Sequence, residues 1–184
     1  MGLLAGFFAL LDRYTDGTDL TVGVPVNGRH RPELEDLVGT FENTAVIRLD
    51  LAGGATFAQL LERVREAALA AFGRAVPPLE DIIAAVLDSV APTEPGRFPL
   101  FDVTFSPHGV RESPGFPLPS APGAHVDLHC DLTERADGGV DGWFRYATQL
   151  FDEATVTRLA GDYVRLLAEA AGDPARPLEH LAHA

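Results

Sequence analysis

Cysteine is almost missing from this 184-residue chain, and Cys130 is the single example. One thiol cannot build a disulfide framework, which suits a reducing compartment and leads us to expect a cytoplasmic protein. Cationic residues are scarce too. There are 14 Lys and Arg against 27 Asp and Glu, for a formal net charge of -13. Such a surface repels phosphate backbones, which argues against nucleic acid as a partner. It would also repel an acidic protein partner unless the few basic residues cluster. No run is long and apolar enough to span a bilayer, so no membrane partner is expected. The apolar stretch Gly2 to Leu11 lacks a basic flank and a small-residue cleavage site, and it does not read as a signal peptide. It reads as a helix entered partway through, so we expect the chain to be a piece of something larger. No internal repeat is visible.

What is present is a core. Hydrophobic residues make up 46% of the chain, and the length suits one ordinary domain. Leu3, Leu4, Phe7, Phe8, Leu10 and Leu11 recur at helical spacing and are apolar nearly all round, so this helix needs burial on more than one side. Leu20 to Val26 and Thr44 to Leu51 read as strands, with a short helix from Glu33 to Val38 between them. Thr56 and Gln59 form a capping-box pattern before a helix whose inner face is Phe57, Leu60, Leu61, Val64 and Ala68, closed by Gly73. Pro78 opens another helix, to about Leu87. Pro99 to Phe105 reads as a strand, and residues 106–124, rich in Pro, Gly and Ser, as a long irregular connection. His125 to Thr133 and Val140 to Thr148 predict a hairpin across Asp137-Gly138-Gly139, where the glycines are turn residues. Asp152 caps a last helix to about Ala171. The order α-β-α-β-α-α-β-β-β-α predicts an α/β (α+β) domain, a mixed β-sheet with helices packed on it.

Several stretches, in order, carry a resemblance. Val22-Gly23-Val24-Pro25-Val26-Asn27-Gly28-Arg29 fits "VGxPVxGR", and Val38-Gly39-Thr40-Phe41-Glu42-Asn43-Thr44 fits "IGxFVNT" with Glu42 in place of valine. Arg97 to Asp102 is similar to "SRxPLFQ", and Tyr146-Ala147-Thr148-Gln149-Leu150-Phe151-Asp152 to "YATDLFD". Each motif alone is weak, but order and spacing hold from about residue 3 to 181. Together they resemble the C-terminal subdomain of nonribosomal peptide synthetase condensation domains. The resemblance implies one lobe, residues 1–184, of a chloramphenicol acetyltransferase-like two-lobed fold from a thiotemplated antibiotic (secondary-metabolite) pathway. In the family an amide bond forms between the lobes, from substrates tethered to phosphopantetheine on peptidyl carrier proteins. This chain itself would bind no cofactor.

Two family motifs are eroded. "HQDxPFE" is reduced to Arg74-Ala75-Val76-Pro77-Pro78-Leu79-Glu80, and "RDxSR" to Thr93-Glu94-Pro95-Gly96-Arg97. The catalytic HHxxxDG, which the family carries in its N-terminal lobe, is not in this sequence. The resemblance therefore implies that the missing N-terminal condensation subdomain is a partner and that the chain is inactive alone. Two other readings stand beside it. One is a non-catalytic condensation-like platform that recruits tailoring enzymes or carrier proteins. The other is a self-associating lobe, a homodimer held by the face of Leu3, Phe7, Leu10 and Leu11.

No catalytic residue is assigned, because His30, His108, His180 and His183 have no His–Asp or Ser–His companion at a telling spacing. His125, Asp127 and His129 share one strand face, but same-face side chains about 7 Å apart are wide for one ion, so no metal is assigned. A partly solvated polar face is the plain reading. The resemblance makes Asp127 and His129 tunnel-lining candidates. It makes Arg29 the partner of the aspartate in HHxxxDG, with Glu33 or Glu35 as local alternatives. Asn43 either satisfies backbone groups at a strand start or lines the tunnel. Trp143 reads as core or as a contact between lobes.

Overall fold

In the computed structural model the described residues are 1–29, 32–34, 36–39, 41–74, 77–86, 99–108 and 126–181, without the side chains of Arg74 and His108. The helices are α1 (Gly2–Tyr14), α2 (Phe57–Arg74), α3 (Leu79–Val86) and α4 (Glu153–Gly172). The strands are β1 (Asp19–Asn27), β2 (Glu42–Asp50), β3 (Val103–His108), β4 (Leu128–Glu134) and β5 (Val140–Tyr146). They form one mixed sheet in the order β2-β1-β3-β4-β5. The inner pairs β1–β3 and β3–β4 are parallel, and the outer pairs are antiparallel.

Alternation along the strands sorts the two faces. Leu20, Val22, Val24, Ile47, Leu49, Phe105, Leu128, Cys130 and Leu132 are buried in one core with α1, α2 and α4. α2 contributes Phe57, Leu60, Val64 and Ala68, and α4 contributes Leu159, Tyr163, Leu166 and Ala170, each set at helical spacing. The expected capping box closes the start of α2: Thr56 N–H donates to Gln59 Oε1 at 2.9 Å, and Gln59 N–H to Thr56 Oγ1 at 3.3 Å. Asp152 caps α4 by accepting from Thr155 N–H at 2.6 Å. The segment after α4 returns to α2, where Ala58 N–H donates to Pro174 O and Leu178 N–H to Ala55 O, and Leu181 is fully buried in the core.

α1 lies at the centre. Every residue from Leu4 to Leu11 is buried. Phe7 stacks among Phe105, Phe144 and Tyr163 with ring centroids 5.3–6.4 Å apart, geometry that adds to area burial. α1 and α4 meet so closely that a Cβ on Gly6 would stand 2.4 Å from Leu167 Cδ2. Of the α1 face expected to hold a homodimer, Leu3, Phe7, Leu10 and Leu11, the last three are buried by the chain's own sheet and helices and so are not free to do so, and Leu3 is half-buried.

Further expectations need correction. The strand placed at Pro99 to Phe105 runs from Val103 to His108, so Ser106, Pro107 and His108 belong to β3 and not to a loop. Residues 99–102 bend instead and lay buried Phe101 over Gly23, where a Cβ would come within 2.7 Å of the ring. The helix expected from Glu33 to Val38 is only a 3-10 turn at Pro32–Leu34. Leu37 and Val38 are exposed, so no apolar face repays helix formation there. α2 runs through Gly73 to Arg74. Trp143 is 48% exposed, which removes the core alternative for it and leaves the contact between lobes. The strand expected from His125 begins at Leu128; residues 109–125 lie outside the described residues, as do His30, Glu35 and His183.

Phe7→Ala should cost about 3–5 kcal/mol of stability. We expect a lower denaturant midpoint at unchanged m-value. Burial, with Asp131 alongside, pushes the Cys130 thiol up to about 12. Thiol reagents at pH 8 should therefore label only unfolded chain, and fast labelling of native protein would contradict this placement.

Candidate functional site

The far face of the sheet is polar where the helix face is oily. Cross-strand register sets two rows on it. Thr104, His129 and Arg145 lie side by side across β3, β4 and β5, and Ser106, Asp131 and Trp143 form the next row. Within these rows Thr104 Oγ1 is 2.6 Å from His129 Nδ1. His129 Nε2 is 3.4 Å from Asp131 Oδ2, and an Arg145 guanidinium nitrogen stands 4.0 Å from the same oxygen. Asp131 is 5% exposed, so the carboxylate is held out of water between two basic groups. With the ring proton on Nε2 facing Asp131, Nδ1 accepts from the Thr104 hydroxyl, which fixes the plane of the imidazole. Such a chain can orient a polar group or hold a proton.

Asp127 lies just before β4. Its N–H donates to Asp102 O at 2.7 Å, and its carbonyl accepts from Ala147 N–H at 2.9 Å. Asp131, Thr104 and Arg145 were not singled out from the sequence. Asp131 stands two residues beyond His129 on the same face, and the Asp137-Gly138-Gly139 turn already fixes Arg145 opposite His129. Both signals were present in the alternation of β4 and the hairpin register.

The second cluster sits at the end of β1. Arg29 donates to the carbonyls of Leu34 and Gly39, the latter at 3.1 Å, and its guanidinium lies 4.2 Å from the Phe41 ring centroid. The Arg29 N–H donates to Asn27 Oδ1 at 2.9 Å, and Gly28 N–H to Phe41 O at 2.9 Å. A Cβ on Gly28 would fall 2.1 Å from that carbonyl, so glycine is what lets the loop close. The fork is thus held in one orientation beside a cleft of about 470 Å³ shared with Pro25, Phe41 and Pro107.

Asn43 works on the backbone. Its Oδ1 accepts from Thr44 N–H at 2.9 Å and from Leu79 N–H at 3.1 Å, and its Nδ2 donates to Pro77 O at 2.7 Å. It pins the start of β2 to the start of α3. Arg29 and His129 are not neighbours. His129 is level with Gly23, and Arg29 lies beyond Asn27, roughly 13 Å or more along the sheet.

Known proteins share this sequence and this shape. The chain is 39% identical over 193 residues to one of the linear gramicidin synthase proteins of Brevibacillus parabrevis, covering 98% of this chain and 4% of that protein. The X-domain in its complex with OxyB from teicoplanin biosynthesis superposes with a TM-score of 0.82 at 30% identity, over 98% of this chain and 41% of that one. The first condensation domain of the CDA synthetase superposes with a TM-score of 0.77 at 25% identity, over 98% of this chain and again 41% of its counterpart. The chain therefore spans a small fraction of the synthetase and about two-fifths of each solved domain. The family model of the Condensation domain matches residues 1–183. A mixed sheet with one oily and one polar face, matched by that model over nearly its whole length, places this chain in the condensation-domain family of nonribosomal peptide synthetases.

Proposed function

We propose that residues 1–184 are the C-terminal lobe of a condensation domain and form one wall of the space where carrier-bound aminoacyl and peptidyl thioesters are joined as an amide. The match of residues 1–183 to the family carries this reading. Amide formation from a thioester needs an oriented acyl group, an amine and help with proton and oxyanion charge. Arg29 is the residue that reaches across. Two carbonyls and an aromatic ring hold its guanidinium, and a pre-oriented fork suits bidentate capture of the N-lobe aspartate. His129 and Asp127 face the substrates, and Asn43 shapes the wall through the backbone it holds. Phosphopantetheine belongs to the partner carrier proteins.

A second reading has its own support. The X-domain that superposes at 0.82 was solved in complex with OxyB, which favours a recruitment platform built on the same lobe. Restoring an N-terminal lobe in cis separates the two: amide product supports the first reading, and product-free binding of a second enzyme supports the second.

The isolated chain, given a loaded donor carrier and a loaded acceptor carrier, should yield no amide above uncatalysed aminolysis by mass spectrometry. Faster product would refute its dependence on the other lobe. In the reunited domain, Arg29→Ala should cost roughly 3–5 kcal/mol in lobe association by stranding a buried carboxylate. Calorimetric titration of the two lobes reads that loss, and wild-type affinity in the variant would remove Arg29 from the interface.

A further inference from the structure

β5 ends the sheet, with no strand on its outer side among the described residues. Its pairing shows which backbone groups face outward. Arg135 N–H donates to Gly139 O at 2.8 Å, and Ala147 N–H to Asp127 O at 2.9 Å, with Asp131 opposite Trp143 between them. Residues 139, 141, 143, 145 and 147 therefore direct their hydrogen-bonding groups at β4. Val140, Gly142, Phe144 and Tyr146 direct theirs away from the sheet, a template for one more strand.

The strand reads Val140-Asp141-Gly142-Trp143-Phe144-Arg145-Tyr146, and it complements itself when reversed about Trp143. An antiparallel copy in that register puts the partner's Arg145 opposite Asp141, the partner's Phe144 opposite Gly142 and the partner's Tyr146 opposite Val140. The outward-facing residues fall in the hydrogen-bonded pairs. Trp143 and the charges fall in the non-hydrogen-bonded pairs, where side chains come closest. Other registers of the same parity lose this match: centring on Asp141 or Arg145 sets like charges together, and centring on Gly142 or Phe144 aligns no opposite charges.

The flanking surface is apolar. A groove of about 530 Å³ opens between β5 and α4, lined by Phe144, Tyr146, Val156, Ala160, Val164 and Leu167. Val140 is 45% exposed, Val164 66% and Trp143 48%. A paired copy would bring its Val140 and Tyr146 to the groove side. Asp141 now bonds Arg135 at 3.1 Å, and Arg135 also holds Asp137 at 3.0 Å, so Asp141 can turn to a new partner without stranding that arginine.

We propose that β5 is an interface for a second copy of this chain, in which two β5 strands pair antiparallel about Trp143 and join two five-stranded sheets into one. This pairing is independent of whether the lobe catalyses or recruits. Light scattering across micromolar concentrations should show a monomer–dimer equilibrium. Arg145→Asp or Asp141→Arg alone should weaken it by roughly tenfold, because two-fold symmetry applies the repulsion twice. The double variant Asp141→Arg/Arg145→Asp should restore it. Hydrogen exchange should show the amides of Val140, Gly142, Phe144 and Tyr146 becoming protected with concentration, while those of Asp141, Trp143 and Arg145 are protected throughout. A chain monomeric at every concentration, a dimer indifferent to the single reversals, or edge amides protected only by an added N-terminal lobe would overturn the proposal.

Discussion

The whole arrangement rests on burying a helix that has no polar side. α1 is apolar around its circumference, so one neighbour cannot satisfy it. The sheet takes one flank, and α2 and α4 take the others. At the α4 contact glycine replaces any larger residue, and the Tyr163 hydroxyl donates to the Leu3 carbonyl at 2.7 Å. Tyr14, at the far end of α1, donates a 2.5 Å hydrogen bond to Asp162, the residue next to Tyr163. Two polar ties from the two ends of α1 thus converge on one place in α4.

The helix layer covers most of one face, and the sheet's polar residues lie on the other. The division follows from period-2 alternation on β4: Leu128, Cys130 and Leu132 go inward, and His129, Asp131 and Thr133 go outward. The parallel core of β1, β3 and β4 needs crossovers, whereas the loop that holds Arg29 joins the antiparallel neighbours β1 and β2. The chain therefore carries its polar residues on the strands of the sheet and Arg29 on a loop at their end.

Much of this could be read in advance, for identifiable reasons. The capping residues Thr56, Gln59 and Asp152 were legible because each acts on backbone within three residues of itself. The hairpin was legible because Asp-Gly-Gly admits few turns, and Gly138 indeed has φ of +82°. Errors came where a distant partner overrides a local pattern. Pro99 to Asp102 looks extended, but Phe101 is claimed by Gly23, some eighty positions earlier. Leu37 and Val38 look like a helix face but have nothing to pack on. The apolar α1 was read correctly as needing cover, yet its cover is α4, about 160 residues away. The polar rows were missed in part because the same-face reading ran from His129 back to His125 and not forward to Asp131.

The distance between α1 and α4 has a kinetic side. During synthesis α1 emerges well before α4, and at about 5–20 residues per second the interval is roughly ten to thirty seconds. Arg13 must wait still longer for the Leu178 carbonyl, 165 positions on. Through that time the most apolar helix of the lobe has only part of its shelter. Topology of this kind folds slowly, since the long loop must close before its contacts reward it. A nascent lobe with α1 exposed is a natural client for chaperones, and slow decoding ahead of α4 would lengthen its exposure.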